Sequence, residues 1–284
     1  MSPSTPAPTS HSIPLRDLRF NREPAGHPRW WHGGDPVATA FFNALSCTFP
    51  AGEKFFMDSV RAYRRTVDPA LQAQIGAFIA QESVHSREHA HFNKLAADSG
   101  YDVAKLERRT KRVLDFARTR GKEHQLAATC ALEHFTAILA HALLATGGSD
   151  LAGAPEEAAR LWGWHAVEEI EHKAVAYDTF FAATAHWSPA RRYFLRVRAM
   201  LIATLILVTT MRGNMRDLYR EDGLKGPGIW LRTMRFLWRR PGILRRVFPA
   251  YLTYFRPGFH PWQHDDRGLL AASLKRLDLA GAAA

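Results

Sequence analysis

Apolar residues recur at intervals of three and four from about residue 36 to about residue 222. No stretch in that span alternates strictly between apolar and polar positions, as a half-buried strand would. The punctuation agrees with helices. Asp35-Pro36, Asp68-Pro69 and Ser188-Pro189 each set a capping side chain before a proline suited to a first helical turn. These signals predict one helical stretch from Asp35 to about Val67, interrupted at Phe49-Pro50, and another from Asp68 to about Asp98, stopped by Gly100. Further helices are expected from Asp102 to near Gly121, from about Lys122 to Thr146 ahead of Gly147-Gly148, from Pro155 to about Ala185, and from Ser188 to about Asp222. The fold class is therefore all-α, with helices long enough to make a bundle over residues 35–222.

The two ends read differently. Residues 1–34 are rich in Pro, Ser and Thr at the start and read as a tail and loop, the first part disordered. They show no charged segment leading into an apolar one, so no secretory signal is expected and a cytoplasmic location is. Residues 223–284 are basic, aromatic and punctuated by Pro and Gly, and predict short additional C-terminal helices forming an appendage.

Charge sharpens this division. The chain carries a formal +11, and the window from Arg191 to Arg256 alone holds fifteen Lys/Arg against three Asp/Glu, so the remainder is close to neutral. Arginine interleaved with Trp, Phe and Leu over residues 191–256 suits an anionic membrane surface, and equally a packed cap with exposed arginines. No nucleic-acid recognition motif accompanies it, so a nucleic-acid partner is not expected. The run Met200–Met211 is apolar but only twelve residues long, against the roughly 20 that a spanning helix needs. It reads first as a core helix and second as a membrane-contacting one. Cys47 and Cys130 are the only cysteines, which leaves no disulfide framework and no thiolate zinc site.

The candidate chemistry lies in the bundle. Glu82-Ser-Val-His85 and Glu169-Ile-Glu-His172 are both Glu-x-x-His within predicted helices. Three residues apart, carboxylate and imidazole share a face, about 4.5 Å apart along the axis, and can reach one ion. Each motif follows a predicted helix carrying a glutamate in apolar company: Glu53, with Phe56, Met57 and Val60, and Glu133, between Leu126 and Leu144. An unpaired buried carboxylate is costly, and a metal is the simplest partner. The order Glu53, Glu82-x-x-His85, Glu133, Glu169-x-x-His172 is that of the di-metal carboxylate bundles of ferritin-like proteins. Oxygen and imidazole donors without thiolates suit two Fe ions, or Mn. His165, Glu169 and His172 are spaced i, i+4, i+7, which makes His165 a seventh candidate. His89 competes with it, because Glu82, His85 and His89 also share a face. Glu88, His91, Glu156, Glu157 and Glu168 read as solvated or outer residues, and His124, His134 and His141 as ordinary helix positions. His260, His264, Asp265 and Asp266 read as loop packing ahead of a second metal site.

Two resemblances bear on these residues. The His165-x-x-x-Glu169-x-x-His172 arrangement resembles the para-aminobenzoate N-oxygenase family, which implies an extra histidine joining the six usual ligands. SCTFPAGEKFF, ESVHSREHAHFN, EEIEHKAVAYD and FRPGFHPW are similar to the bacterial family labelled "predicted metal-dependent hydrolase", over roughly residues 15–275. The leading expectation is a di-iron oxygenase or oxidase acting with O2 on a small molecule, either an amine or an apolar compound. The alternatives are a hydrolase whose two ions activate water, with Glu168 or Glu171 as general base, and a metal-storing protein.

Overall fold

The computed structural model describes residues 13–20, 28–239, 242–279 and 281. Residues 1–12 and 21–27, on which part of the tail expectation falls, lie outside the described residues. Among the described residues there are eleven α-helices and no strand. The helices are α1 (Pro36–Ser46), α2 (Phe49–Arg61), α3 (Pro69–Asp98), α4 (Val103–Arg118), α5 (Lys122–Leu144), α6 (Glu156–His172), α7 (Val175–Ala183), α8 (Pro189–Glu221), α9 (Pro227–Trp238), α10 (Ile243–Thr253) and α11 (Arg267–Arg276). The protein is an all-α helical bundle.

The capped prolines do what their chemistry dictates. Asp35 accepts from the backbone N–H of Val37 and Ala38, Asp68 from Leu71 and Ser188 from Arg191, each with Pro in the first turn. Gly100 stops α3 with φ +97° and Gly147 follows α5 with φ +66°, a conformation that a side chain would oppose.

The expected interruption at Phe49-Pro50 is present, and one further expected helix is divided. The stretch predicted from Asp35 to Val67 separates at Cys47-Thr48 and ends at Arg61, because Pro50 has no N–H to continue the α1 ladder. The new helix turns Glu53, Phe56 and Val60 together into the core. The helix predicted from Pro155 to Ala185 is two, separated at Lys173-Ala174, where no Gly or Pro marks a break. There the buried Lys173 ammonium reaches away to Asp266, at 2.5 Å, and to the His264 carbonyl, at 2.7 Å.

Helices α2, α3, α5 and α6 form the core bundle. α2 packs on α3 and α5 on α6, and the pairs close through α2 against α5 and α3 against α6. The C-terminal helices are docked onto it, with α9 on α1, α10 on α5 and α11 on α6. Buried Arg196 of α8 secures the appendage by donating to the carbonyls of Tyr254 and Arg256. The FHPWQHDD loop packs as the sequence suggests: His260 bonds Asp178, His264 bonds Thr253, and Asp266 takes both Lys173 and His141. Both cysteines are free and buried.

Two surfaces depart from expectation. Residues 13–20 are an extended strap packed over the core, with Arg16 and Phe20 buried, so this part of the N-terminal segment is not a disordered tail. Helices α5 and α8 are both long and apolar enough to cross a membrane, but their surroundings separate them. The apolar window of α5 is 67% buried, as a core helix requires, whereas that of α8 is only 28% buried. Met200–Met211 is thus not a core helix: Met200, Ala203 and Thr210 face inward, while Leu201, Ile202, Leu205 and Val208 are exposed.

Candidate metal centre

The four core helices bring all seven candidate ligands together. Glu53 comes from α2, Glu82 and His85 from α3, Glu133 from α5, and His165, Glu169 and His172 from α6, every one of them buried. They form three overlapping groups whose ligand atoms lie within 4.8 Å of one another: Glu53 with His85 and His165, Glu82 with His85 and Glu169, and Glu82 with Glu133 and His172. Glu82 and Glu169 occupy the middle. His85 Nδ1 lies 3.9 Å from Glu82 and 3.6 Å from Glu169. On the other side His172 Nε2 lies 3.2 Å from Glu82, 3.5 Å from Glu169 and 3.6 Å from Glu133. His165 Nε2 is 3.0 Å from Glu169.

The inward-facing atoms are short of partners. Among the described residues, nine of the sixteen buried side-chain polar atoms without a hydrogen bond belong to these seven, among them both oxygens of Glu82 and of Glu133. That concentration is not packing noise. Leaving a buried polar group unpaired costs about 1–3 kcal/mol, more if it is charged, and an ion placed among them removes the cost. The donor set, carboxylate oxygen and imidazole nitrogen without sulfur, fits a divalent transition metal.

Every ring has one nitrogen turned inward and the other held from behind. His85 Nε2 bonds Glu168 at 3.0 Å, and Glu168 also accepts from Trp164 Nε1 and Arg16. His172 Nδ1 donates to Gln81 Oε1 at 3.0 Å, Gln81 donates onward to Glu171, and Glu171 accepts a two-pronged bond from Arg16 at 2.8 Å each. The two chains, one from each Glu-x-x-His motif, converge on the single guanidinium of Arg16. His165 Nδ1 meets His89 Nε2 at 2.9 Å, and His89 is held in turn by Ser46. His89 therefore lies behind His165 and not at the cluster. Supports of this kind fix ring orientation and ligand basicity.

The electrostatics follow from crowding four carboxylates in a dry core. Burial and the neighbouring Glu82 hold the Glu53 carboxyl well above its usual range; burial, Glu82 and Glu169 do the same for Glu133. Burial also opposes charge on Glu82 and Glu169, but the histidines outweigh it and both are depressed. His85 is likewise opposed by burial yet raised to about 10 by Glu168 and Glu82, and His172 is raised by Glu169 and Glu82. His165 moves the other way, lowered by burial and by repulsion from His85. Protons and a metal ion would compete for the same carboxylate and imidazole atoms.

Sequence reasoning missed four supporting residues. Arg16, Gln81, Ser46 and Trp164 carried no motif: the first three act through partners on other elements, and Trp164 donates to Glu168 one turn further along α6. Of the residues expected to be solvated or outer, Glu168 is the buried outer support of His85, and Glu88 is buried too, accepting from the Phe20 N–H and from Arg87. Glu168 and Glu171 are not poised as general bases, since Arg16 and the bonds above occupy their oxygens. The three groups within reach of one ion, among the described residues, all fall in this core, and none includes the FHPWQHDD loop.

An apolar cavity reaches the cluster. It is lined by Phe41, Phe42, Phe49, Leu139, Trp162 and Ile243 and touches His165 and Glu169.

No curated protein and no solved structure matches the chain. A family model does, over residues 14–265, and its match spans the strap carrying Arg16 and all seven candidate ligands. The chain belongs to the family described as "Predicted metal-dependent hydrolase".

Proposed function

We propose that the seven residues hold two divalent ions, iron or manganese, and that the protein is an oxidoreductase using O2 on a small organic substrate. Glu53, His85 and His165 would serve one ion and Glu133 and His172 the other, with Glu82 and Glu169 shared between them. The observation that carries this reading is the pair of central carboxylates, each close to histidines of both groups. A bound pair of ferrous ions would supply electrons for reducing O2. The protein's own part is to orient the ligands through Arg16, Gln81 and His89, and to keep bulk water out with the aromatic wall of Phe49, Phe78, Trp162 and Trp164.

Hydrolysis is the second reading, favoured by the family's description. Two ions can activate a water for attack. Against it stand the engagement of Glu168 and Glu171 by Arg16 and the apolar lining of the cavity that reaches the cluster. Anaerobic loading with ferrous iron, metal counting and exposure to air separate the two. About two ions per chain and an O2-dependent absorption change are expected. Two ions with no optical response to O2, together with ester or phosphoester cleavage, would establish hydrolysis instead.

A further inference from the structure

Helices α8, α9 and α10 share an outward apolar surface. Phe194, Leu201, Ile202, Leu205 and Val208 on α8 are exposed, Leu205 by 65%. Leu231, Met234 and Trp238 on α9 and Phe248 and Leu252 on α10 are exposed too. The three helices are linked here: the Thr204 hydroxyl meets Tyr251 at 3.0 Å, Tyr251 stacks on Phe248, and Phe248 meets Trp238. Contiguous exposed apolar surface of this kind marks a contact site.

Charge indicates what covers it. Exposed Arg191 and Arg198 precede the apolar run of α8, Arg212 and Arg216 follow it, Arg235 lies on α9 with Arg239 just after it, and Arg245 lies on α10. Asp217, one of the few acidic residues in the region, is buried against Arg109 and subtracts little from this field. An apolar strip bounded by arginines at both ends is what an anionic lipid interface accommodates. Asn214 and Asp217 tie the inner face of α8 to the bundle through Arg109, which suits a helix meeting such an interface along its length and not crossing it.

A second observation points inward from the same place. A cavity lined by Leu114, Leu132, Phe135 and Leu139 has α8 residues Ile206 and Leu207 in its wall, half-buried beside the exposed Leu205 and Val208. It shares Leu45, Phe49, Thr136 and Leu139 with the cavity that touches His165 and Glu169. The inner cavity has a volume of about 40 Å³ and the outer about 80 Å³. Each is below the roughly 150 Å³ of a cavity that holds benzene, so neither alone takes a ring, and two such spaces adjoining along shared residues suit an elongated molecule.

We propose that the α8–α10 face rests on an anionic membrane leaflet, and that the double cavity beneath it leads a single-chain apolar molecule from the leaflet to the His165–Glu169 side of the cluster. The substrate class rests on the di-metal reading, while the surface and the cavity do not.

The test uses the full chain as purified, with metal counted on the same sample. It is sedimented with vesicles of phosphatidylglycerol and phosphatidylcholine, and with vesicles of phosphatidylcholine alone. Pelleting is expected with the anionic vesicles at low salt and is lost at about 1 M salt, where the Debye length is about 3 Å. The double variant Leu205→Glu/Val208→Glu should pellet about tenfold less, through loss of apolar insertion. No pelleting, or equal pelleting of variant and wild type, overturns the membrane face. So does self-association that the same variant abolishes in the absence of any vesicle binding, which would assign the face to a second copy.

For the cavity, octan-1-ol is titrated calorimetrically. Binding near one per chain is expected, and should be lost in Leu139→Trp, which fills the wall common to both cavities. Leu207→Trp, at the outer end, serves if the first variant does not fold. No binding to wild type, or undiminished binding to the folded variant, overturns the conduit. Vesicle and octanol binding by a chain that takes up no metal would instead remove the di-metal reading and leave the face and cavity standing.

Discussion

The bundle's two halves repeat one another in sequence and differ in how they are built. Each is a helix with a glutamate followed by a helix with Glu-x-x-His: Glu53 then Glu82 and His85, Glu133 then Glu169 and His172. Yet His85 turns Nδ1 to the cluster and His172 turns Nε2. One is braced by a carboxylate, Glu168, and the other by an amide, Gln81. The additional histidine, His165, stands on the second half's helix but joins Glu53 and His85 of the first. A repeat in sequence therefore yields two unequal groups of side chains, one richer in nitrogen, on either side of two central carboxylates.

The largest break in this comparison comes at the shared residues. Glu82→Ala or Glu169→Ala should lose both ions by metal analysis, because each carboxylate faces both groups. Glu133→Ala or His172→Ala should keep about one, bound by Glu53, His85 and His165. Two full equivalents in Glu133→Ala and His172→Ala alike would sink the ligand assignment.

Arg16→Ala comes next, since it strips the partner from two buried carboxylates at once. Stability should fall by about 3–5 kcal/mol in urea unfolding. Metal affinity should fall by about 10–100-fold at both positions, measured against a competing chelator. A weakening confined to one ion would show that the two chains do not converge functionally on Arg16.

The pH dependence is smaller and has a definite sign. The folded value of His85 stands at about 10 against an ordinary 6.5. Its contribution to metal-free stability is therefore complete below about 6.5 and lost as pH rises through about 10. His172, also raised, acts in the same direction. With metal bound both rings are neutral ligands, so unfolding midpoints should decline over this range for the metal-free protein and stay flatter for the loaded one. Parallel profiles would mean that the imidazoles do not ligate.

His165→Ala is the smallest change and the most discriminating. Six ligands remain, so about two ions should still bind, while the rate or spectrum of the O2-dependent absorption change should alter. An unchanged stopped-flow trace would make His165 a core histidine braced by His89 and would equalise the two positions.

Much of the core was legible because an α-helix is a local object. Asp35, Asp68 and Ser188 announce helix starts through bonds that span two or three residues, and Glu-x-x-His places its two side chains on one face whatever surrounds them. Burial of Glu53 and Glu133 followed from their apolar neighbours. The division at Lys173 was not legible, because it accompanies a bond to Asp266, distant in sequence. Nor was the exposure of Leu201, Ile202, Leu205 and Val208, since an apolar helix face reads alike whether it meets a core, a lipid or water.

The sequence by itself thus determined the all-α class, the helix order and the set of seven ligand candidates, all of which depend on spacings within a turn or two. Tertiary structure alone decided that Arg16, 152 residues before Glu168, closes over the centre. It also decided that His165 and not His89 faces the carboxylates, and which nitrogen each ring presents. Those choices rest on which helices are neighbours and at what angle. That is a property of the packed core, and no local pattern along the chain encodes it.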